Sequence, residues 1–238
     1  MGNYWVEIAD RNQTEAQIQF LKSRLKPEGR ILDLACGSGR HLITLGLLGF
    51  NVVGLDASLN LLKIAKQRGR HVQVIRGDLR MLPFRSDVFA AVISMDTSFG
   101  YLPSKKANQK SLNEVRGVMV QGGVLVVDLF NRNNLIAKNQ TKASSKWREY
   151  PSFFLKQKRA LSPTNRRLRD LWTIQDKATG RLKHFRHSVQ VFGQEEMKEL
   201  LEEAGFGVKQ VYGSYDCGLF GESSSRMILL ALACEVRS

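Results

Sequence analysis

A short run of residues combines an acid, two glycines and a base: Asp33-Leu34-Ala35-Cys36-Gly37-Ser38-Gly39-Arg40. Gly37 and Gly39 lack a Cβ, so the chain can turn tightly there and a ligand can lie against bare backbone. The helix predicted to follow presents free N–H groups and a partial positive charge, which suits a carboxylate. The run therefore predicts a ligand-binding loop, although glycines that merely turn the chain would give the same pattern.

Two further acids follow the next two predicted strands. Asp56 ends the second strand, 17 residues after Gly39, where a carboxylate can accept hydrogen bonds from both hydroxyls of a ribose. Asp78 follows the third strand and could accept from the amino group of an adenine, while Leu79 packs against the ring. A nicotinamide dinucleotide is disfavoured, because its fingerprint has a third glycine where this chain has Leu42.

The first 130 residues alternate between strands and helices. Apolar periodicity and turn residues predict helices at 14–25, 40–49, 59–68 and 104–120, and strands at 31–35, 51–56, 72–75, 88–94 and 124–127. Continuous apolar strands separated by helices indicate a parallel sheet that is covered on both faces. Ligands bind such sheets at the carboxyl ends of the strands, where the acids and glycines lie.

The pattern changes after residue 130. Three stretches at 153–161, 167–175 and 182–192 suit antiparallel strands, with turn signals between them. A helix at 194–204 and a closing strand pair at 208–212 and 227–233 follow. We therefore predict a ligand-binding core over 1–130, an antiparallel insertion over 131–192, and a return to the core over 193–238.

These motifs resemble those of the class I S-adenosylmethionine-dependent methyltransferases, in particular the small-molecule branch described as methyltransferase type 11. The resemblance covers about the whole chain; its matching segments are 32–40, 56, 77–79, 82–84, 97–101, 122–125, 203–206 and 225–229. It implies an α/β fold with a doubly wound, Rossmann-like, seven-stranded sheet and an antiparallel β insertion after strand five. In relatives that insertion forms a lid over the substrate.

The resemblance also implies the cofactor S-adenosyl-L-methionine and assigns residues to it by position. The methionine end would meet Asp33, Ala35, Gly37 and Gly39; the ribose Asp56; the adenine Asp78 and Leu79; and the sulfonium Met95. Ala57 is a further expected contact of the cofactor. It leaves open whether Tyr4 or Trp5 caps the cofactor.

Methyl transfer from a sulfonium is an in-line displacement, so the nucleophile must lie about 3–3.5 Å from the methyl carbon in a site that excludes water. A base is needed only if the nucleophile arrives protonated. The residues that follow strand four are expected to line the site of the methyl acceptor. Among them, Ser98 and Phe99 are candidate substrate contacts, and Tyr101 is a candidate catalytic residue. Tyr215 and Arg226 are further candidates; Arg226 could bind a substrate carboxylate or form an internal ion pair.

Two histidines are candidate general bases, because the unperturbed pKa of histidine is near 6.5. His184 and His187 are three residues apart and so face opposite sides of a strand. Either could instead belong to a polar surface. His41 begins the helix after the loop and is better suited to helix packing.

The net charge of +14 is concentrated in one segment. Residues 132–188 contain 15 Lys and Arg against 3 Asp and Glu, a balance of +12. The segment could attract an anionic substrate or nucleic acid, or it could be a solvated sheet face. Three functions are therefore open: methylation of a small, possibly anionic molecule at O, N or C; methylation of RNA or protein docked on the basic segment; and a non-catalytic, cofactor-binding interaction module.

Other classes of protein are disfavoured. No apolar run approaches the roughly 18 residues of a membrane span, and the first residues do not resemble a secretory signal. The three cysteines, Cys36, Cys217 and Cys234, show no metal-ligand spacing, so no metal is expected. We expect a cytoplasmic monomer or homodimer that acts on a small molecule, with no membrane partner and with nucleic acid as the less favoured alternative.

Overall fold

The computed structural model describes residues 2–8, 11–26, 28–138, 147–164 and 166–235. The strands are β1 Arg30–Leu34, β2 Asn51–Asp56, β3 Gln73–Arg76, β4 Phe89–Ser94, β5 Met119–Phe130, β6 Trp147–Glu149, β7 Phe153–Leu161, β8 Arg167–Asp176, β9 Leu182–Gln190, β10 Phe206–Tyr212 and β11 Arg226–Ala233. The helices are α1 Gly2–Ile8, α2 Arg11–Lys22, α3 Arg40–Leu47, α4 Leu59–Arg68, α5 Lys105–Val118, α6 Arg132–Ala137 and α7 Gln194–Glu203. A 3-10 turn spans Ser98–Tyr101.

Seven strands form the main sheet, in the order β10-β11-β5-β4-β1-β2-β3. β1 to β5 run parallel, and β11 lies antiparallel between β5 and β10. Leu32 in β1 lies opposite both Val53 and Val92, so the central strands are in register where their buried side chains meet. The prediction of a doubly wound, seven-stranded sheet is confirmed.

Two apolar layers cover this sheet because alternate strand residues point to opposite faces. On one face, Ile31 packs with the buried sides of α2, α3 and α4, for example Leu21 and Leu45. On the other face, Leu32 packs with α5 and α7, for example Leu112 and Leu200. This packing holds the strands in place and thereby positions the loops that follow their carboxyl ends.

A second, four-stranded antiparallel sheet has the order β6-β7-β8-β9 and lies between β5 and α7 in the chain. The predicted insertion after strand five is therefore confirmed. We call it the second sheet. Its inner face carries buried Phe153 and Trp172, which pack with Tyr4 of α1. Its outer face carries residues such as Lys158 and Arg169, which are exposed.

The structure differs from the sequence prediction mainly in elements that depend on distant contacts. α1 was not predicted, and it packs by Tyr4 and Trp5 on a sheet about 150 residues away in the chain. α6, β6 and the 3-10 turn were not predicted either. β5 begins at Met119 rather than at residue 124, so α5 ends at Val118. No helix in the described part of the chain is long and apolar enough to span a membrane.

Candidate active site

The loop after β1 has the left-handed backbone that its glycines were expected to allow. Ala35, Gly37 and Gly39 have φ of 62°, 56° and 79°. A Cβ added to Gly37 would meet no atom within 4 Å, so open space borders this residue. A Cβ on Gly39 would lie 3.0 Å from the Cβ of Ala65. Gly37 therefore faces a space that a ligand can enter, whereas Gly39 permits close packing of the loop on α4.

Asp56 closes the end of β2 against this loop. Its Oδ2 accepts a hydrogen bond of 2.9 Å from the amide of Gly37, and its Oδ1 accepts one of 2.8 Å from the amide of Ser58. The side chain is nearly buried. Ala57, which follows, is exposed beside it. The carboxylate thus ties the loop after β1 to the carboxyl end of β2, at the edge of the open space beside Gly37, which we call the crevice.

Asp33 is a buried acid with an unused oxygen. Only 2% of the residue is exposed, and its Oδ2 has no hydrogen-bond partner among the described residues. Burial raises the pKa of Asp33 to about 7, against the lowering effects of Arg40 and of the Leu42 amide. An unpaired buried acceptor is costly, so this position favours a ligand that brings a donor or a positive charge.

The residues assigned to the adenine lie at the next strand end. Arg80 donates to Asp78 from its amide and its guanidinium and holds the pKa of that carboxyl at about 2. Asp78 is therefore ionised and can accept hydrogen bonds. Its side chain is also half-exposed. Leu79 packs partly on the core. Met95 is buried at the end of β4, near the centre of the sheet.

A polar cluster that was not predicted from the sequence lies beyond Met95. The guanidinium of Arg40 forms an ion pair with Asp96 and donates to Oε1 of Gln17 at 2.7 Å. The amide of Gln17 donates to Oδ1 of Asp96 at 3.0 Å, and Nε2 of His41 lies 3.0 Å from Oε1 of Gln17. Burial lowers the pKa of His41 to about 3, so it is neutral. His41 therefore packs within the helix layer.

Arg226 and Tyr215, both proposed as substrate contacts, bind an interior carboxylate. Nε of Arg226 donates to Oδ1 of fully buried Asp128 at 2.8 Å, and the Tyr215 hydroxyl donates to Oδ2 at 2.8 Å. Arg226 also donates to Oγ1 of Thr97. Burial, reinforced by Asp128, raises the pKa of Tyr215. The internal ion pair, one of the two roles considered for Arg226, is thus present.

The turn after β4 carries three candidate residues, Ser98, Phe99 and Tyr101, and the structure places them in different surroundings. The hydroxyl of Ser98 donates to the carbonyl of Met95 at 2.7 Å. Phe99 is buried against Phe192, with ring centroids 5.9 Å apart. Tyr101 is 49% exposed, and its surroundings include Asp170 and Arg159 of the second sheet. Of the three, Tyr101 is the side chain that the turn presents toward the second sheet.

The inner face of the second sheet carries two polar groups without partners in the described chain. These are Nε1 of Trp172, which is 5% exposed, and Nε2 of His187. The His187 ring stands edge-on to Trp172 at 4.9 Å, and Trp5 of α1 stacks on Trp172 at 5.3 Å. Burial lowers the pKa of His187 below its ordinary value. This face thus holds a neutral imidazole and an indole N–H that are both buried and unpaired within the described chain.

His184 lies on the other side of the same sheet. It pairs with Thr173 across β8 and β9, whereas His187 pairs with Asp170. The predicted opposite orientation of the two histidines is confirmed. His184 is exposed, and its Nδ1 lies 3.1 Å from the hydroxyl of Thr173. The structure therefore brings His187 and Tyr101 to the same side of the second sheet and leaves His184 outside.

Sequence reasoning missed the buried carboxylate of Asp128, the ion pair of Asp96 with Arg40, and the contact between Trp5 and Trp172. Asp128 had a detectable signal, because it is an acid within the apolar run Val126-Val127-Asp128-Leu129. A buried acid in a strand is costly unless it is paired with a cation or protonated. Trp5 and Trp172 had no such signal, since their meeting depends on the placement of α1. The described residues contain no group of three or more His, Cys, Asp and Glu that could hold a metal ion.

Part of the chain matches a known protein family and known proteins. Residues 31–123 match the model of a methyltransferase domain family. The chain is 33% identical over 142 residues to the glycine/sarcosine N-methyltransferase of Parasynechococcus marenigrum, a match that spans 56% of this chain and 50% of that protein. The chain thus spans about half the length of the curated relatives it matches.

Two solved structures extend the likeness to nearly the whole chain. An S-adenosylmethionine-dependent methyltransferase from Clostridium acetobutylicum superposes with a TM-score of 0.85 over 98% of this chain and 99% of that one, at 16% identity. CalS10, an amino pentose methyltransferase from Micromonospora echinaspora solved with S-adenosylmethionine bound, gives 0.70 over 97% and 95%, at 20% identity. At these identities the likeness concerns the fold.

Proposed function

We propose that the protein is an S-adenosylmethionine-dependent methyltransferase that methylates a small molecule. Residues 31–123 match a methyltransferase domain family, and the whole chain has the fold of a solved S-adenosylmethionine-dependent methyltransferase. The acceptor lies between the crevice at the strand ends and the inner face of the second sheet. An amino nitrogen is the accepting atom that the residues there favour.

The observation that carries this proposal is the pairing of open space at Gly37 with the unpartnered Oδ2 of Asp33. These features fit an amino acid whose ammonium group contacts Asp33 and whose main-chain atoms lie against the loop. Asp56, Ala57, Asp78, Leu79 and Met95 would hold the remainder of S-adenosylmethionine. When bound, this cofactor supplies an electrophilic methyl group on a sulfonium, a leaving group that needs no proton.

The acceptor side is built from aromatic and neutral polar groups. Tyr101 carries a hydroxyl that is protonated at neutral pH, because the ordinary pKa of tyrosine is about 10. Trp172 offers an indole N–H, and His187 offers a neutral imidazole whose Nε2 can accept a proton. An amine arrives as an ammonium ion and must lose a proton before it can attack a methyl group. His187 is placed to take that proton, and Tyr101 to orient the acceptor.

Charge on the inner face argues against an anionic acceptor. Arg159 is bound to Asp170 through two hydrogen bonds of 2.8 and 2.9 Å. Lys183 donates to the hydroxyl of Tyr4. These cations are already paired or hydrogen-bonded, so the inner face offers little to a negatively charged substrate.

The burial of aromatic residues in the second sheet favours a small molecule over RNA as the methyl acceptor. Phe153 and Trp172, two of the aromatic residues in the basic segment, are buried beneath α1 and are not free to stack on bases. An amine acceptor is also supported by the similarity to the glycine/sarcosine N-methyltransferase of Parasynechococcus marenigrum.

Two measurements test the proposal. Isothermal titration with S-adenosylhomocysteine should show 1:1 binding. Cell extract incubated with the protein and methyl-tritiated S-adenosylmethionine should then yield label in the small-molecule fraction. Label confined to RNA or protein would overturn the choice of acceptor. Cofactor binding with no transfer to any fraction would favour a non-catalytic module.

A further inference from the structure

A groove crosses the outer face of the second sheet, away from the crevice. We call it the outer groove. Its volume is about 420 Å³. Nine residues line it, of which Arg159, Asp170 and His187 belong to the inner-face rows and six to the outer face: Lys158, Ala160, Arg169, Leu171, Arg186 and Ser188. A volume of this size is typical of a site for a small molecule.

The strand register explains the shape of the outer groove. Lys158, Leu171 and Arg186 form one row across β7, β8 and β9. Ala160, Arg169 and Ser188 form a second row, two residues away on each strand. Between them lies the backbone of residues 159, 170 and 187, whose side chains point to the inner face. Adjacent strands are about 4.8 Å apart, so the groove is about 10 Å long.

The outer groove is positively charged, and its charges are not neutralised. Lys158, Arg169 and Arg186 are all exposed, and none of them has an ion-pair or hydrogen-bond partner in the described part of the chain. The acid that borders the groove, Asp170, directs its carboxylate to the other face, where Arg159 binds it. Three unpaired cations around a concave surface raise the local concentration of anions.

We propose that the outer groove binds a phosphorylated small molecule. Arg169 lies in the row opposite Lys158 and Arg186, so a phosphoryl group between the rows can reach all three cations. The two guanidinium groups match the paired oxygens of a phosphate. Leu171 and Ala160 offer an apolar floor to the organic part of the ligand. Because this face is turned away from the crevice, the ligand is not the methyl acceptor.

The test measures binding of glucose 6-phosphate and of inorganic pyrophosphate by isothermal titration at fixed ionic strength, with the crevice saturated by S-adenosylhomocysteine. Unphosphorylated glucose is the ligand control. The variant carries Lys158→Gln, Arg169→Gln and Arg186→Gln. A matched variant carries Arg70→Gln, Arg85→Gln and Lys106→Gln, which removes the same charges at exposed positions elsewhere.

We expect at least one phosphorylated probe to bind, and to bind at least tenfold more weakly to the groove variant while its affinity for the matched variant is unchanged. Equal weakening in both variants would mean diffuse attraction by net charge and would overturn the proposal. Absence of binding by either probe would overturn it as well. Groove-dependent binding of an oligouridylate, with no binding of either probe, would replace it with a nucleic-acid surface.

Discussion

The amide of Gly37 donates a hydrogen bond of 2.9 Å to Oδ2 of Asp56, which joins the loop after β1 to the end of β2. One carboxylate therefore does two things in the proposed site. It fixes the loop against the neighbouring strand, and it presents oxygen lone pairs along the wall of the crevice. Substitutions on either side of this hydrogen bond should affect cofactor binding for different physical reasons.

Replacement of Asp56 by Ala should weaken binding of S-adenosylhomocysteine by about 1.5–3 kcal/mol, the range for a lost hydrogen bond to a charged group. Because the amides of Gly37 and Ser58 also lose their acceptor, stability to urea should fall as well. Titration calorimetry measures the first effect. Glu28→Ala, at an exposed acid, serves as the control. An unchanged affinity in folded Asp56→Ala would remove Asp56 from the site.

Valine at position 37 should abolish cofactor binding, because its side chain would enter the space bordering the loop. The matched control is Gly122→Val. Gly122 also has positive φ (72°) with no atom within 4 Å of an added Cβ, but it lies near the start of β5, away from the strand ends that form the crevice. Both variants carry a similar backbone strain of about 1–2 kcal/mol. Normal binding by folded Gly37→Val would contradict the loop assignment.

The stability of the protein should depend on the protonation of Asp33. Its pKa is raised from 3.8 to about 7 by burial, so the folded state holds a proton that the unfolded state releases. Folding stability should therefore decline as pH rises from about 4 to about 7. Urea unfolding at several pH values measures this slope. Asp33→Asn, which is neutral throughout, should lack this component, and an identical slope in both proteins would show that Asp33 ionises normally.

His187→Gln should lower kcat by about 100-fold or more if His187 takes the proton of the acceptor, while affinity for S-adenosylhomocysteine stays the same. In the wild type, activity should fall as the pH drops through the pKa of His187, which burial places below 6.5. His184→Gln is the matched control, because His184 lies on the outer face. Equal losses in the two variants, or an unchanged pH profile in His187→Gln, would argue against this role.

Arg226→Leu should destabilise the fold by about 3–5 kcal/mol, because it leaves the buried carboxylate of Asp128 without its cation. Lys177→Leu breaks a more exposed ion pair with Glu149 and should cost less than about 1 kcal/mol. Denaturant unfolding compares the two. If Arg226→Leu retained full stability but showed a raised KM for the acceptor, the contact with substrate would be the correct role instead.

The order of strands and helices in the core was determined by the sequence, because each element has a local periodicity and a turn residue at its end. β2 and α4 have the bounds predicted for them, and the three long strands of the second sheet lie within a few residues of theirs. The loop over 33–40 and the acid at 56 were also found locally, since glycine and carboxylate spacing needs no distant contact.

Tertiary structure alone decided which side chains meet. From the sequence, Arg226 and Tyr215 are candidates for substrate binding. In the fold both bind Asp128, which lies about 90 residues away in the chain. Trp172 meets Trp5 through the packing of α1, and it meets His187 through the register of β8 and β9. The physical reason is that chain periodicity specifies which face a side chain occupies, whereas burial, partners and pKa depend on whatever element covers that face.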